Sequence, residues 1–173
     1  MSKIDTQAIL SEIYEERIDF HRDLYDKSTT HRIEHGPDCS VYPSSSASAP
    51  MWPLIAAMVD AQRFLEVGCG LGYTAALMAE AGGKNSHVDT VENVALHADL
   101  AEQELSRIGL ASRVRVLRGE AKDILSSLTE PYDVVFVDAD WDQYPDWLPE
   151  LTRLTRRGGI LVTSNLFPLF EEW

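Results

Sequence analysis

The residues whose types and spacing could do chemistry are a glycine cluster and a set of carboxylates. Glu66-Val-Gly68-Cys69-Gly70-Leu-Gly72-Tyr-Thr74 carries a GxGxG pattern directly after the apolar run Phe64-Leu65. Glycines there let the backbone turn tightly and approach a ligand that any Cβ would exclude. A dinucleotide turn has the spacing GxGxxG, and Tyr73 stands at its third glycine position. Glu66, just ahead of the turn, would repel a pyrophosphate and suits a ligand with a cationic ammonium group. Glu92 closes the next apolar run, where a carboxylate can accept hydrogen bonds from both ribose hydroxyls of an adenosine ligand. Gly119-Glu120-Ala121 follows a third run and could set a backbone N–H and a carboxylate beside an adenine ring. Each signal alone has a plain structural explanation: a tight connection, a surface Glu, a Glu favourable at a helix N-terminus. Three of them at successive strand ends point to one ligand.

These residues must be positioned by alternating elements. Strands are predicted at 63–67, 87–92, 113–117, 133–138 and 160–163, with helices over 51–60, 94–108, 121–128 and 146–155 and a turn at Arg157-Gly158-Gly159. Strands separated by helices require right-handed crossovers and a parallel sheet buried on both faces, so the expected fold is a doubly wound α/β sandwich. Ligands of such sheets sit outside the carboxyl ends of the strands, where the glycine turn and the carboxylates fall. Ahead of the sheet, Leu10, Ile13, Tyr14, Ile18, His21, Leu24 and Tyr25 recur at helical spacing and predict an amphipathic helix over about 5–26. Residues 1–35 are accordingly read as a helical cap on a 36–173 ligand-binding domain, the two forming one globular unit. Tyr42-Pro-Ser-Ser-Ser-Ala-Ser-Ala-Pro50 reads as a mobile, proline-bounded loop.

Composition narrows the function. A formal net charge of −13 repels a phosphate backbone, and no basic run interleaved with aromatics offsets it, so nucleic acid is not an expected partner. The first twenty residues are broken by charges, and no apolar run reaches the roughly 18 residues of a membrane span, so a cytoplasmic protein without a membrane partner is expected. Cys39 and Cys69 lack CxxC spacing and are read as free thiols with no redox or zinc function. His31, His35 and Asp38 fall in one short window. A metal or general-base role would need a helix to align the imidazoles, and Gly36-Pro37 breaks any helix just beyond, so they are read as ordinary loop residues.

The segments FLEVGCGLGYTAALMA, TVEN, RVRVLRGEA, YDVVFVDADWDQYPDWL and LTRRGGILVTSN resemble the S-adenosylmethionine-dependent class I methyltransferases, and among them the cation-dependent O-methyltransferases of the catechol and caffeoyl-CoA type. The resemblance covers roughly residues 40–167. It implies that Glu66, Gly68, Cys69 and Gly70 hold the methionine portion of S-adenosylmethionine, with Thr74 on its carboxylate. Glu92 would take the ribose, Glu120 and Ala121 the adenine, and Asp140 would lie near the amino group. Ser44 or its loop neighbours would close over the site. Asp138 is the residue expected to orient the acceptor or touch a cation, and it is counted with the cofactor-binding residues as well.

Three departures from the family pattern bear on mechanism. The cation site uses an Asp at the start of VDAD and an Asp-Asn pair after the fifth strand; here Asp138 and Asn165 are kept and Ser164 replaces the second Asp. Hard divalent cations prefer carboxylate oxygens, so the metal is in doubt and no metal ligand is assigned. Trp141 stands where the family has a Lys that assists deprotonation; it is either a flat wall for an aromatic acceptor or an aromatic cap on a helix start. The sequence ends at Trp173, ahead of a further helix and an antiparallel pair, so the terminal strands are read as missing or naturally absent. Phe167, Leu169, Phe170 and Trp173 then form an apolar tail that invites a homodimer. The expected function is methyl transfer from S-adenosylmethionine to oxygen of a small, phenolic acceptor. The alternative is a cofactor-binding domain without transfer activity, in a regulatory or assembly role. A nicotinamide-dependent dehydrogenase is disfavoured by the GxGxG spacing.

Overall fold

The computed structural model describes residues 21–44 and 48–164. Five parallel strands form one sheet in the order β3-β2-β1-β4-β5. They are β1 (Arg63–Val67), β2 (His87–Glu92), β3 (Val114–Arg118), β4 (Tyr132–Val137) and β5 (Thr155–Thr163). The chain winds outward from β1 to β3, then returns to the other side of β1 for β4 and β5. That reversal between β1 and β4 is the crevice where doubly wound sheets bind ligands.

Alternation along each strand divides the core into two layers. On one face Phe64, Val88, Val114, Val134 and Phe136 pack against α1 (Arg22–His35), α2 (Met51–Val59), α3 (Tyr73–Ala81) and α4 (Ala95–Arg107). On the other, Leu65, Val67, Val91, Val135 and Val137 pack against α5 (Ala121–Ser127) and α6 (Tyr144–Leu154) through Leu125, Trp147, Leu151 and Leu154. The near-continuous apolar runs of β1 and β4 follow from burial on both faces.

Three boundaries differ from the sequence reading by two residues or more. Helix α1 runs on to His35, although its apolar periodicity stops at Tyr25. Its buried face continues as Leu24, Ser28 and His31, and Ser28 and Thr29 satisfy their hydroxyls on the carbonyls of Leu24 and Tyr25. His31 and His35 therefore lie one helical turn apart on a helix rather than in a loop, and Gly36 ends it. The other residues of the predicted 5–26 helix before 21 lie outside the described residues. Helix α6 starts at Tyr144, two residues early, because Pro145 presets the first turn; a short 3₁₀ turn, Trp141–Gln143, leads into it. Strand β5 starts at Thr155 and absorbs Gly158 and Gly159 as an irregularity in its pairing with β4, where a turn was expected.

Candidate functional site

The strand ends build the site by their own backbone bonds. Gly68 and Cys69 donate to the Val91 carbonyl, Asp138 to Val67, Gly119 to Glu92 and Ser164 to Val137. Each connection is thereby tied to the strand beside it, so the segments after all five strands share one rim. At the crevice between β1 and β4, Gly68 has φ +100°, and a Cβ there would stand 2.1 Å from the Asp138 carbonyl oxygen. Only glycine permits the two strand ends to come so close.

Above this rim lies a cleft of about 800 Å³. Ser44, Gly68, Cys69, Gly70, Thr74, Glu92, Glu120, Ala121, Asp138 and Asp140 all line it, as do Trp141 and Ser164. Glu66 does not. Strand alternation turns it with Phe64 toward the α1–α4 face, where it is 1% exposed and accepts a hydrogen bond from Thr90. The three glutamates of the sequence reading thus do not share the cleft: Glu92 and Glu120 do, and Glu66 lies beneath its floor.

Glu92 is the most constrained of the lining carboxylates. Its Oε2 accepts from the Gly70 N–H at 2.8 Å and its Oε1 from the Val94 N–H at 2.9 Å. Burial raises its pKa, and these backbone donors offset part of that rise. Glu120 is exposed at the other wall and accepts from Asn93 Nδ2 at 3.3 Å.

Across the cleft runs a chain of hydroxyls ending on Asp138. Thr74 Oγ1 donates to Ser44 Oγ at 3.1 Å, and Ser44 Oγ donates to Asp138 Oδ2 at 3.1 Å. Ser164 Oγ donates to Asp138 Oδ1. Glu66 has its pKa raised well above the ordinary carboxylate value by burial, with Thr90 pulling it down and the charges of Asp138 and Glu92 pushing it further up. Burial likewise raises the Cys69 thiol, with Glu66 adding to the rise, so this cysteine is poorly suited to act as a thiolate nucleophile.

The residue pattern gave no role to Tyr144, Thr90 or Asn93. Tyr144 is buried; its hydroxyl accepts from the Ala139 N–H at 3.1 Å and lies 3.0 Å from the Ala139 carbonyl and 3.2 Å from that of Val137. It clamps the segment carrying Asp138 and Asp140. The VDAD-to-Tyr144 spacing was the available signal. Nothing in the sequence pairs Thr90 with Glu66, because their contact depends on the register of β1 with β2, in which the two residues are opposite. Trp141 is 44% exposed at the cleft mouth, so it stands as a wall there and also opens the 3₁₀ turn.

Of the cation-site positions that the resemblance implies, the described residues show Asp138, whose two oxygens each take a hydroxyl hydrogen, and Ser164 as a neutral neighbour; Asp140 also lines the cleft. Ser164 gives this position one anionic oxygen fewer than the family pattern, which weakens the attraction for a hard divalent cation. Asn165 and the apolar tail lie outside the described residues.

Comparison with known proteins follows the same direction. The O-methyltransferase family model matches residues 26–169. Catechol O-methyltransferases of Niastella koreensis and Mycobacterium tuberculosis are each 37% identical to this chain over 117 and 114 residues, 65% of it in both cases and 53% and 52% of their own lengths. The O-methyltransferase TomG of Streptomyces achromogenes, involved in tomaymycin synthesis and solved in complex with SAM, aligns with a TM-score of 0.73 at 30% identity. That alignment covers 81% of this chain and 64% of TomG. The O-methyltransferase of Bacillus cereus, solved in complex with SAH, shares the fold at a TM-score of 0.75 and 23% identity, covering 91% of this chain and 72% of that one. Fold, rim and match together define a class I methyltransferase architecture. This chain belongs to the O-methyltransferase family. It spans about half the length of the curated relatives it matches. Among the described residues, no helix is long and apolar enough to cross a membrane.

Proposed function

We propose that this chain binds S-adenosylmethionine and transfers its methyl group to oxygen of a small, phenolic acceptor. The observation that carries the reading is Glu92, fixed by the Gly70 and Val94 amides in the lining of an 800 Å³ cleft. In this reading Glu92 accepts both ribose hydroxyls, Glu120 and Ala121 flank the adenine, and the Gly68–Gly70 backbone approaches the amino-acid portion. Thr74 and Asp140 take its carboxylate and amino group. The bound cofactor supplies a methyl group on a cationic sulfur. Carboxylate charge from the buried Glu92 and the half-buried Asp138 would favour such a cation, but methyl transfer would discharge it, so this field serves binding more than rate. Rate must come from holding the acceptor oxygen in line, which falls to Asp138 with Trp141 as a wall.

Calorimetry with S-adenosylhomocysteine, followed by turnover on catechols, hydroxycinnamates and other phenols, tests the reading. Absence of binding at millimolar ligand would end it, and binding without turnover on any phenol would favour a domain that holds cofactor only. Because Ser164 weakens the attraction for a hard cation, magnesium should change turnover little. Activity abolished by chelator and restored by magnesium would contradict that part.

A further inference from the structure

Outside the cleft, the fold assembles a second group of chemically capable side chains. His31 lies on α1, Cys39 on the segment after it and His97 on α4, and all three are buried. One ring nitrogen of each histidine and the Cys39 sulfur all lie within 4.8 Å of one another. His31 Nε2 and His97 Nδ1 are buried with no hydrogen-bond partner among the described residues. The nearest anion to His97 Nδ1 is Glu92 Oε1, at 3.9 Å, beyond hydrogen-bond reach. Buried polar atoms ordinarily find partners, so an orphaned nitrogen on each of two imidazoles clustered with one thiol requires an explanation.

We infer that His31, Cys39 and His97 form a binding site for a borderline-soft divalent cation of the zinc type. Two imidazoles and a thiolate are the donors such a metal prefers, whereas magnesium and calcium take oxygen. A tetrahedral zinc with bonds of about 2.0–2.3 Å sets its ligand atoms roughly 3.3–3.6 Å apart, so a modest contraction of the cluster completes the geometry. Three protein ligands leave a fourth position for water. Burial lowers the pKa of both His31 and His97, and neighbouring histidines lower them further, which favours the neutral, coordinating form of each ring. Binding would expel the Cys39 proton. The His35 ring stacks on His31 with centroids 4.0 Å apart, and its Nδ1 lies 2.9 Å from the His31 carbonyl. A carbonyl only accepts, so Nδ1 carries the proton, and this bond together with the stacking holds His35 against the His31 ring.

The consequence is mechanical. Cys39 lies five residues before Ser44, and Val41 between them is buried against Gly70, whose Cβ position is 3.6 Å from Val41 Cγ1. A metal at the cluster would fasten α1 and the start of the Ser44 segment to α4, close to Glu92. The site is independent of the proposed methyl transfer and is read out without it.

Metal-free, reduced protein titrated with Co²⁺ and then Zn²⁺ tests the inference. One equivalent of cobalt should bind with a thiolate-to-cobalt charge-transfer band in the near ultraviolet and tetrahedral d–d intensity, and zinc should displace it. Cys39→Ser should abolish the band, and both Cys39→Ser and His97→Gln should weaken zinc by at least about 100-fold, beyond what loss of an outer partner brings. Asp138→Asn should leave the cobalt spectrum unchanged. Circular dichroism checks that the variants fold, and the wild-type spectrum decides the matter if they do not. No charge-transfer band at cobalt well above the protein concentration, or equal zinc affinity in wild type and folded variants, overturns the site.

Discussion

The two ends of the sheet treat their carboxylates in opposite ways. At the amino-terminal end of the strands, Asp89 takes Arg115 Nε at 2.8 Å and the Tyr132 hydroxyl, and Asp133 takes Arg156 together with the Gln62 and Arg63 amides at 2.8 Å each. These charges are neutralised within the fold. At the carboxyl-terminal end, Glu66 and Glu92 receive their hydrogen bonds from a hydroxyl and from backbone amides, and among the described residues none comes from a lysine or arginine. Both ends carry concavities of similar size, about 750 Å³ beside Asp89 and about 800 Å³ at the strand ends. Volume therefore does not mark the site. What distinguishes it is that Glu92 in the cleft lining and Glu66 behind it have no lysine or arginine hydrogen-bonded to them among the described residues; burial raises the pKa of both, and such a setting leaves room for a cationic ligand.

The sharpest way to break this contrast is to remove one carboxylate from each end. Glu92→Ala should weaken S-adenosylhomocysteine by about 10²–10⁴-fold in calorimetry, as expected for two hydrogen bonds to a charged group at about 1.5–3 kcal/mol each. Asp89→Ala should leave that affinity unchanged; equal losses in the two would erase the distinction. Gly68→Ala tests the closeness of the β1 and β4 ends. Its methyl would meet the Asp138 carbonyl in a left-handed backbone, and a loss of about 3 kcal/mol is expected in urea unfolding.

The pH dependence of stability should differ in sign between the ends. The folded-state pKa of Glu66 is raised, so the folded protein holds more protons than the unfolded chain above the reference value of 4.5. Stability from this group then falls as pH rises from 4.5 toward the folded pKa. Glu66→Gln should flatten that slope and raise the urea midpoint at neutral pH relative to wild type. Asp133 runs the other way. Burial pushes its pKa up, but Arg156 and the two amides outweigh burial and hold it below 3.8, so its contribution is present above 3.8 and lost as pH falls through the folded value. Arg156→Met should cost about 1 kcal/mol at neutral pH, the smallest of these effects, since the pair is partly solvent-exposed.

Much of the architecture was legible because it rests on local pattern. The apolar runs 63–67, 87–92 and 133–138 marked strands, the glycine turn marked the first connection, and Glu92 and Glu120 marked the ends that line the cleft. Glu66 was misplaced because proximity to a glycine turn says nothing about which face a strand residue presents. That depends on strand alternation at β1, and burial on both faces hides the alternation in the sequence. Helix α1 was cut short for a related reason: its buried face continues in Ser28 and His31, which an apolar count does not register.

What the order of residues determined unaided was the winding of the sheet, the glycine turn and the family, since each depends on spacing within a short stretch. Tertiary structure alone decided three things: that Thr90 meets Glu66, that Ser44 and Ser164 converge on Asp138, and that Cys39 joins His31 and His97. Those partners come from different elements, up to 94 positions apart in the case of Ser44 and Asp138. Strand register and helix packing bring them together, and neither is written in the spacing of residues along the chain.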